Sequence, residues 1–164
     1  MGIWVSGPNL QVWHLFGLII LAMVLGGLVG LDREIVQRPA GLRTHMLVAG
    51  AAAVFVGLGE MLVQGYGRGL EGGMVRADPL RLIQGIITGV SFLGAGAIIQ
   101  RSRNGASDGV EGLTTAASLL MSAAVGVTVV LGQIWLAICV TGATLVTLRI
   151  VRWLEQWAGW RAHL

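Results

Sequence analysis

A chain of 164 residues that is 55% hydrophobic and 12% charged, with a mean hydropathy of +0.79, has too little polar surface to cover a water-soluble domain of its size. The net charge of +3 and pI near 10.4 bring nucleic acid to mind, but the arginines are scattered through loops without forming a patch or stripe on one module, so no nucleic-acid partner is expected. The single cysteine, Cys139, excludes a disulfide framework and a thiolate metal cluster, and is expected to be a small buried side chain.

The charges sit between five apolar blocks, at about residues 12–31, 46–63, 82–99, 113–131 and 134–151. Each approaches the roughly 20 residues that cross about 30 Å of hydrocarbon as a helix, the form that satisfies every backbone group in lipid. The first block lacks a basic leader and an A-x-A cleavage site, so it reads as a retained span. Between the second and third blocks, the glycine-rich segment 64–81 reads as a flexible loop, closed by Asp78-Pro79 as N-cap and first-turn pair of the third helix. After the fifth block, residues 153–164 carry Trp153, Trp157 and Trp160 and read as a short amphipathic tail at the membrane interface, following a transmembrane domain over 1–152. Arginines after the first, third and fifth blocks number eight, against three on the other side. The expectation is an all-α membrane protein, a compact bundle of five transmembrane helices with its N-terminus outside and its C-terminus cytoplasmic.

Small residues recur at helical spacing: Gly26 with Gly30, Gly85 with Gly89, Gly94 and Gly96 beyond them, and Ser118, Ser122 and Gly126 in series. Such stripes let backbones approach closely in lipid, and are expected to serve packing, with enough left over for a homodimer or other homo-oligomer. The glycines at 89, 94 and 96 are expected to permit a close crossing or a local break in the third helix.

The candidate functional cluster lies in the cytoplasmic segments. Gly26, Gly30 and Arg33 share one face, and Gly27, Gly30 and Glu34 another close to it, so Arg33 and Glu34 are expected to point inward as a buried pair. Arg38, Arg43 and Thr44 follow. Arg43, near the start of the second helix, is disfavoured by the helix dipole, so it reads either as a topology marker or as part of an anion site. Asp108 and Glu111 are candidate carboxylate partners for the arginines, and Thr114 and Thr115 could cap the fourth helix or bridge to a neighbour. Ser91 lacks a G-x-S-x-G frame because Leu93 fills its last position, and His14, His45 and His163 show no metal-ligand spacing. No enzyme, metal or cofactor is expected.

Gly30-x-x-Arg33-Glu34, Arg38-Pro39-Ala40-Gly41-Leu42-Arg43-Thr44, Gly89-x-x-Phe92-Leu93-Gly94-Ala95-Gly96 and Val110-x-Gly112-Leu113-Thr114-Thr115-Ala116-Ala117 resemble, in order, the signatures of the MgtC/SapB membrane family. The resemblance implies a multi-pass protein of the bacterial inner membrane, linked to growth in low magnesium, to virulence within macrophages and to restraint of the ATP synthase as a possible partner. It is the short, SapB-like form that the chain resembles, without the C-terminal domain many members carry. Two functions compete: a non-enzymatic regulator that docks on itself and on another membrane protein, and a small oligomeric transporter or channel using Arg33, Glu34, Ser91, Thr114 and Thr115.

Overall fold

The computed structural model describes residues 8–67, 78–102 and 112–157. Among them the chain forms five helices, α1 (Pro8–Ile35), α2 (Leu42–Gly67), α3 (Pro79–Ser102), α4 (Leu113–Val130) and α5 (Ile134–Trp157). The first four contain stretches long and apolar enough to cross a membrane, and α5 has a shorter apolar stretch, Ile134–Ile150. The outward surface is inverted relative to a soluble protein: Trp13, Phe16, Phe55, Phe92 and Trp135 are all more than half exposed. With the apolar spans, this makes the chain a membrane protein.

Helix α4 is the axis of the bundle, touching each of the other four, whereas α3 meets only α2 and α4, and α5 only α1 and α4. Half of the α4 span is buried against 11% of that of α3, so the core is a three-helix seam of α1, α2 and α4. Helical periodicity explains the seam. Ala22, Leu25, Val29 and Asp32 on α1, and His45, Val48, Ala49, Ala52, Ala53 and Val56 on α2, fall at three- and four-residue intervals and are all buried.

Glycine makes this approach possible. A Cβ on Gly26 would stand 2.6 Å from Ala49 Cβ, one on Gly30 would stand 2.8 Å from the Gly41 carbonyl oxygen, and one on Gly126 would run into the Ala49 carbonyl. Ser118 and Ser122 of α4 are buried in the same seam. Gly94 reaches Ala116, whose Cβ lies 3.0 Å from the position a side chain would take. Gly85, Gly89 and Gly96 differ from the packing expected of them: nothing lies within 4 Å of their Cβ positions, because α3 turns that face outward. Nor does α3 break at its glycines; it runs unbroken to Ser102. Gly26 and Gly126 are thus filled within one chain, as the packing role expected of their stripes requires.

Two hydroxyls of α5 are satisfied by their own helix, Thr141 donating to the Ala137 carbonyl and Thr144 to that of Val140, one turn back in each case, whereas Ser122 Oγ of α4 is buried without a hydrogen-bond partner among the described residues. Cys139 is exposed on α5, contrary to the buried place expected of it, because the buried stripe of α5 runs through Ala137, Thr141 and Thr144. Helix α5 continues through residues 153–157 without interruption, so the start of the expected tail is a prolongation of the last span.

Two helix ends close with the same device. At the end of α4, Gln133 N–H bonds the Thr128 carbonyl and Gly132 N–H that of Val129, with Gly132 at φ 75°. At the end of α1, Arg38 N–H bonds Arg33 O and Gln37 N–H bonds Glu34 O, with Gln37 at φ 54°. Both are Schellman caps, the second with glutamine in the left-handed position that glycine normally takes. Pro39 follows where the helix could not continue. Asp78 caps α3 as expected, its Oδ1 accepting the Leu80 N–H at 3.0 Å behind Pro79.

Candidate functional site

The end of α1, the start of α2, the start of α4 and the end of α5 meet at one end of the bundle, and there the buried polar side chains gather. Asp32 is 4% exposed and Arg33 3%, and the two bond directly at 2.5 Å through Arg33 Nη2 and Asp32 Oδ2. Two more guanidinium groups reach the same carboxylate from α5: Arg149 Nε to Oδ1 at 3.2 Å and Arg152 Nη2 to Oδ2 at 3.4 Å. One carboxylate therefore ties α1 to α5, with its arginines graded from interior to surface. Arg33 is enclosed, Arg152 keeps 26% of its side chain exposed and Arg149 70%. Arg33 Nε is buried without a hydrogen-bond partner among the described residues.

Beside this cluster stands His45, fully buried in the first turn of α2. Its Nδ1 is 2.8 Å from the Gly41 carbonyl oxygen, which can only accept, so Nδ1 carries the proton. In the neutral ring Nε2 is then an acceptor, 3.0 Å from the Ser118 hydroxyl of α4. That hydroxyl also lies 2.8 Å from the Thr115 carbonyl, so its one proton serves two acceptors. The distance is that of an activated serine, but Ser118 is 2% exposed and bonded on both sides, which suits a clasp between α2 and α4 better than a nucleophile.

The expected Arg33–Glu34 pair does not form. Arg33 points inward as the glycine face implied, but Glu34 is exposed, and its Oε2 accepts the Leu42 N–H at 2.8 Å. It reaches across the hairpin to satisfy a free amide at the start of α2, a capping contact made from outside the helix. Arg38, Arg43 and Thr44 are exposed on the same hairpin, and Thr114 is exposed while Thr115 is 2% exposed. The threonines do not provide the cap of α4: Gly112 stands at the N-cap with φ 100° and no side-chain cap bond, and a Cβ there would lie 3.1 Å from Ala97 O. Asp108 and Glu111 lie outside the described residues. Ser91 is exposed on α3.

Sequence reasoning missed Asp32, His45, Arg149 and Arg152 as members of one site. A signal was present in the periodicity. Asp32 falls three residues after Val29 on the buried α1 stripe, His45 opens the stripe of α2, and Arg152 extends the Ala137, Thr141, Thr144 stripe of α5 by two turns.

A second feature is a groove of about 970 Å³ between α2 and α3, lined by apolar side chains such as Leu47, Phe55, Leu82 and Ile86 and by Gly85 and Gly89. Thr44 stands at one end and Arg81 at the other, so it runs most of the thickness of the bundle. At the end of the bundle opposite Asp32, Glu60 and His14 line a small cavity of about 30 Å³. Among the described residues, no three histidine, cysteine or carboxylate side chains converge as a metal site.

Comparison with known proteins places this architecture. The chain is 38% identical over 148 residues to protein SrpB of Synechococcus elongatus, covering 84% of this chain and 78% of that one. It is 37% identical over 134 residues to YhiD of Escherichia coli K12, a protein named as a candidate magnesium transporter, covering 80% and 58% of the two. It is 41% identical over 123 residues to protein MgtC of Salmonella typhimurium strain 14028s, covering 75% and 46%. The chain thus spans about half the length of the latter two relatives. No solved structure matches it. Residues 19–157, which include the buried seam residues of α1, α2 and α4 named above and the Asp32 cluster, match the MgtC family, and the chain belongs to that family.

Proposed function

We propose that this chain is a non-enzymatic protein of the bacterial inner membrane, linked to magnesium limitation, that acts by docking on other membrane proteins. The magnesium link draws on the name of one relative, YhiD, and on what the family resemblance implies. The observation that carries the mode of action is the occupancy of Asp32. A magnesium ion is held through carboxylate oxygens and water, and both oxygens of this buried carboxylate are already taken by guanidinium groups, whose charge repels a cation. The outward apolar groove and the exposed hairpin from Arg38 to Thr44 are the surfaces offered to a partner, with the ATP synthase the partner that family resemblance implies. Self-association, if through small residues, falls to Gly85 and Gly89, whose face is open.

The orientation follows from charge. Arg33, Arg38, Arg43, Arg149 and Arg152 share the Asp32 end, which is therefore cytoplasmic, with the N-terminus outside. Reporters fused after Gln133 then read outside and those after Arg103 or Arg161 cytoplasmic, and a cytoplasmic signal at Gln133 reverses the assignment.

Similarity to YhiD favours a second reading, a small oligomeric magnesium transporter. Reconstitution in lipid vesicles separates the two. Docking predicts no magnesium flux above that of empty vesicles together with recovery of a defined membrane partner by affinity capture. Flux that saturates with magnesium makes the chain a transporter.

A further inference from the structure

We propose that Arg149 and Arg152 of α5, held by Asp32, bind the phosphate of an anionic phospholipid headgroup. Three guanidinium groups surround one carboxylate, an excess of two positive charges among the described groups that touch one another at this end of the bundle. The nearby carboxylate of Glu34 is turned to the Leu42 amide. Asp32 spends each oxygen on arginine but uses one nitrogen each of Arg149 and Arg152, and a guanidinium carries five N–H donors in a planar fork that matches a phosphate. The outer two arginines are the ones with exposed surface left, 70% of the Arg149 side chain and 26% of that of Arg152, which gives a phosphate access to them.

The surroundings specify a lipid over a soluble phosphate. Arg149 lies one turn beyond Val146 and one turn before Trp153, and at positions 146, 150 and 153 the exposed side chains are valine, isoleucine and tryptophan. Apolar wall, cation and indole thus follow one another up the same face of α5, as acyl chain, phosphate and headgroup region do up a leaflet. The site stands where the apolar stretch Ile134–Ile150 ends, at the level of the bilayer boundary. Asp32 is a positioning residue here: it relieves the repulsion between the arginines and fixes where their free nitrogens point.

The test uses the purified full chain in mild detergent, titrated with phosphatidylglycerol, phosphatidylcholine or inorganic phosphate and read by thermal unfolding, where a ligand that prefers the folded state raises Tm with its concentration. Phosphatidylglycerol is expected to raise Tm while phosphatidylcholine and phosphate do not. Arg149→Gln is expected to weaken phosphatidylglycerol about fivefold, and Arg149→Gln with Arg152→Gln about 30-fold, at one charge contact each. Arg38→Gln removes the same charge from an exposed site on the same end of the bundle and is expected to leave the affinity unchanged. Should the double variant fail to fold, the single Arg149 variant carries the test. The proposal is overturned by equal shifts with the two lipids, by a shift with phosphate alone equal to that with phosphatidylglycerol, by an unchanged affinity in Arg149→Gln, or by an equal loss in Arg38→Gln.

Discussion

Gly26 with Gly30 and Gly85 with Gly89 are the same motif, two glycines four residues apart on an apolar helix, yet the first pair lies against the backbone of α2 and the second faces open space. The difference lies in what stands opposite. Facing α1 is the start of α2, delivered by a short hairpin with a rigid cap at each side, so the backbone of residues 41–45 comes down onto the glycines. Facing Gly85 and Gly89 is the apolar groove between α3 and α2, which none of the described residues fills. A small-residue stripe permits close approach without causing it, and in lipid, where apolar surface has no drive to leave its solvent, permission alone leaves a face bare.

The largest effect should come from removing the charge that ties α1 to α5 beside the first stripe. Asp32→Ala leaves Arg33 buried without its counter-ion and frees α5, at an expected loss of about 3–5 kcal/mol, measured as thermal stability in detergent. A variant as stable as the parent would mean the carboxylate contributes nothing to folding.

Next comes a direct contrast of the two stripes. Gly126→Leu drives a side chain into the Ala49 carbonyl, which has no flexible end to move aside, and should cost about 3 kcal/mol, the upper part of the overpacking range. Gly85→Leu, in open space, should stay within about 0.5 kcal/mol of the parent. Equal losses in the same unfolding assay would show that α3 packs in solution against something the single chain does not contain.

Smaller effects probe the hairpin that makes the first stripe work. Glu34→Ala removes the carboxylate that holds the Leu42 amide and should cost about 1 kcal/mol, with Glu34→Gln, which keeps an acceptor, recovering much of it. Gln37→Gly relieves the left-handed strain at the end of α1 and should stabilise by about 0.5 kcal/mol, the gain reduced by the greater freedom of glycine in the unfolded chain. A destabilised Gln37→Gly would mean that the glutamine side chain itself holds the turn.

The sequence by itself determined the number of helices, their approximate limits and the end at which the arginines collect. These depend on apolar runs, Asp-Pro and Gly punctuation and loop charge, all local in the chain, and the observed helices extend the expected spans by a few residues at most of their ends. It also determined that Arg33 faces inward, since that follows from the helical repeat after Gly26 and Gly30. The tertiary structure decided the partners. Arg33 pairs with Asp32 and not Glu34, because the Schellman cap turns the chain just after Ile35 and leaves Glu34 pointing along the hairpin to Leu42. Arg149 and Arg152 join that carboxylate across more than a hundred residues, and His45 finds Ser118 across 73. Such contacts depend on which helices are neighbours and on their depth relative to one another, and neither quantity is written in the period of any single helix.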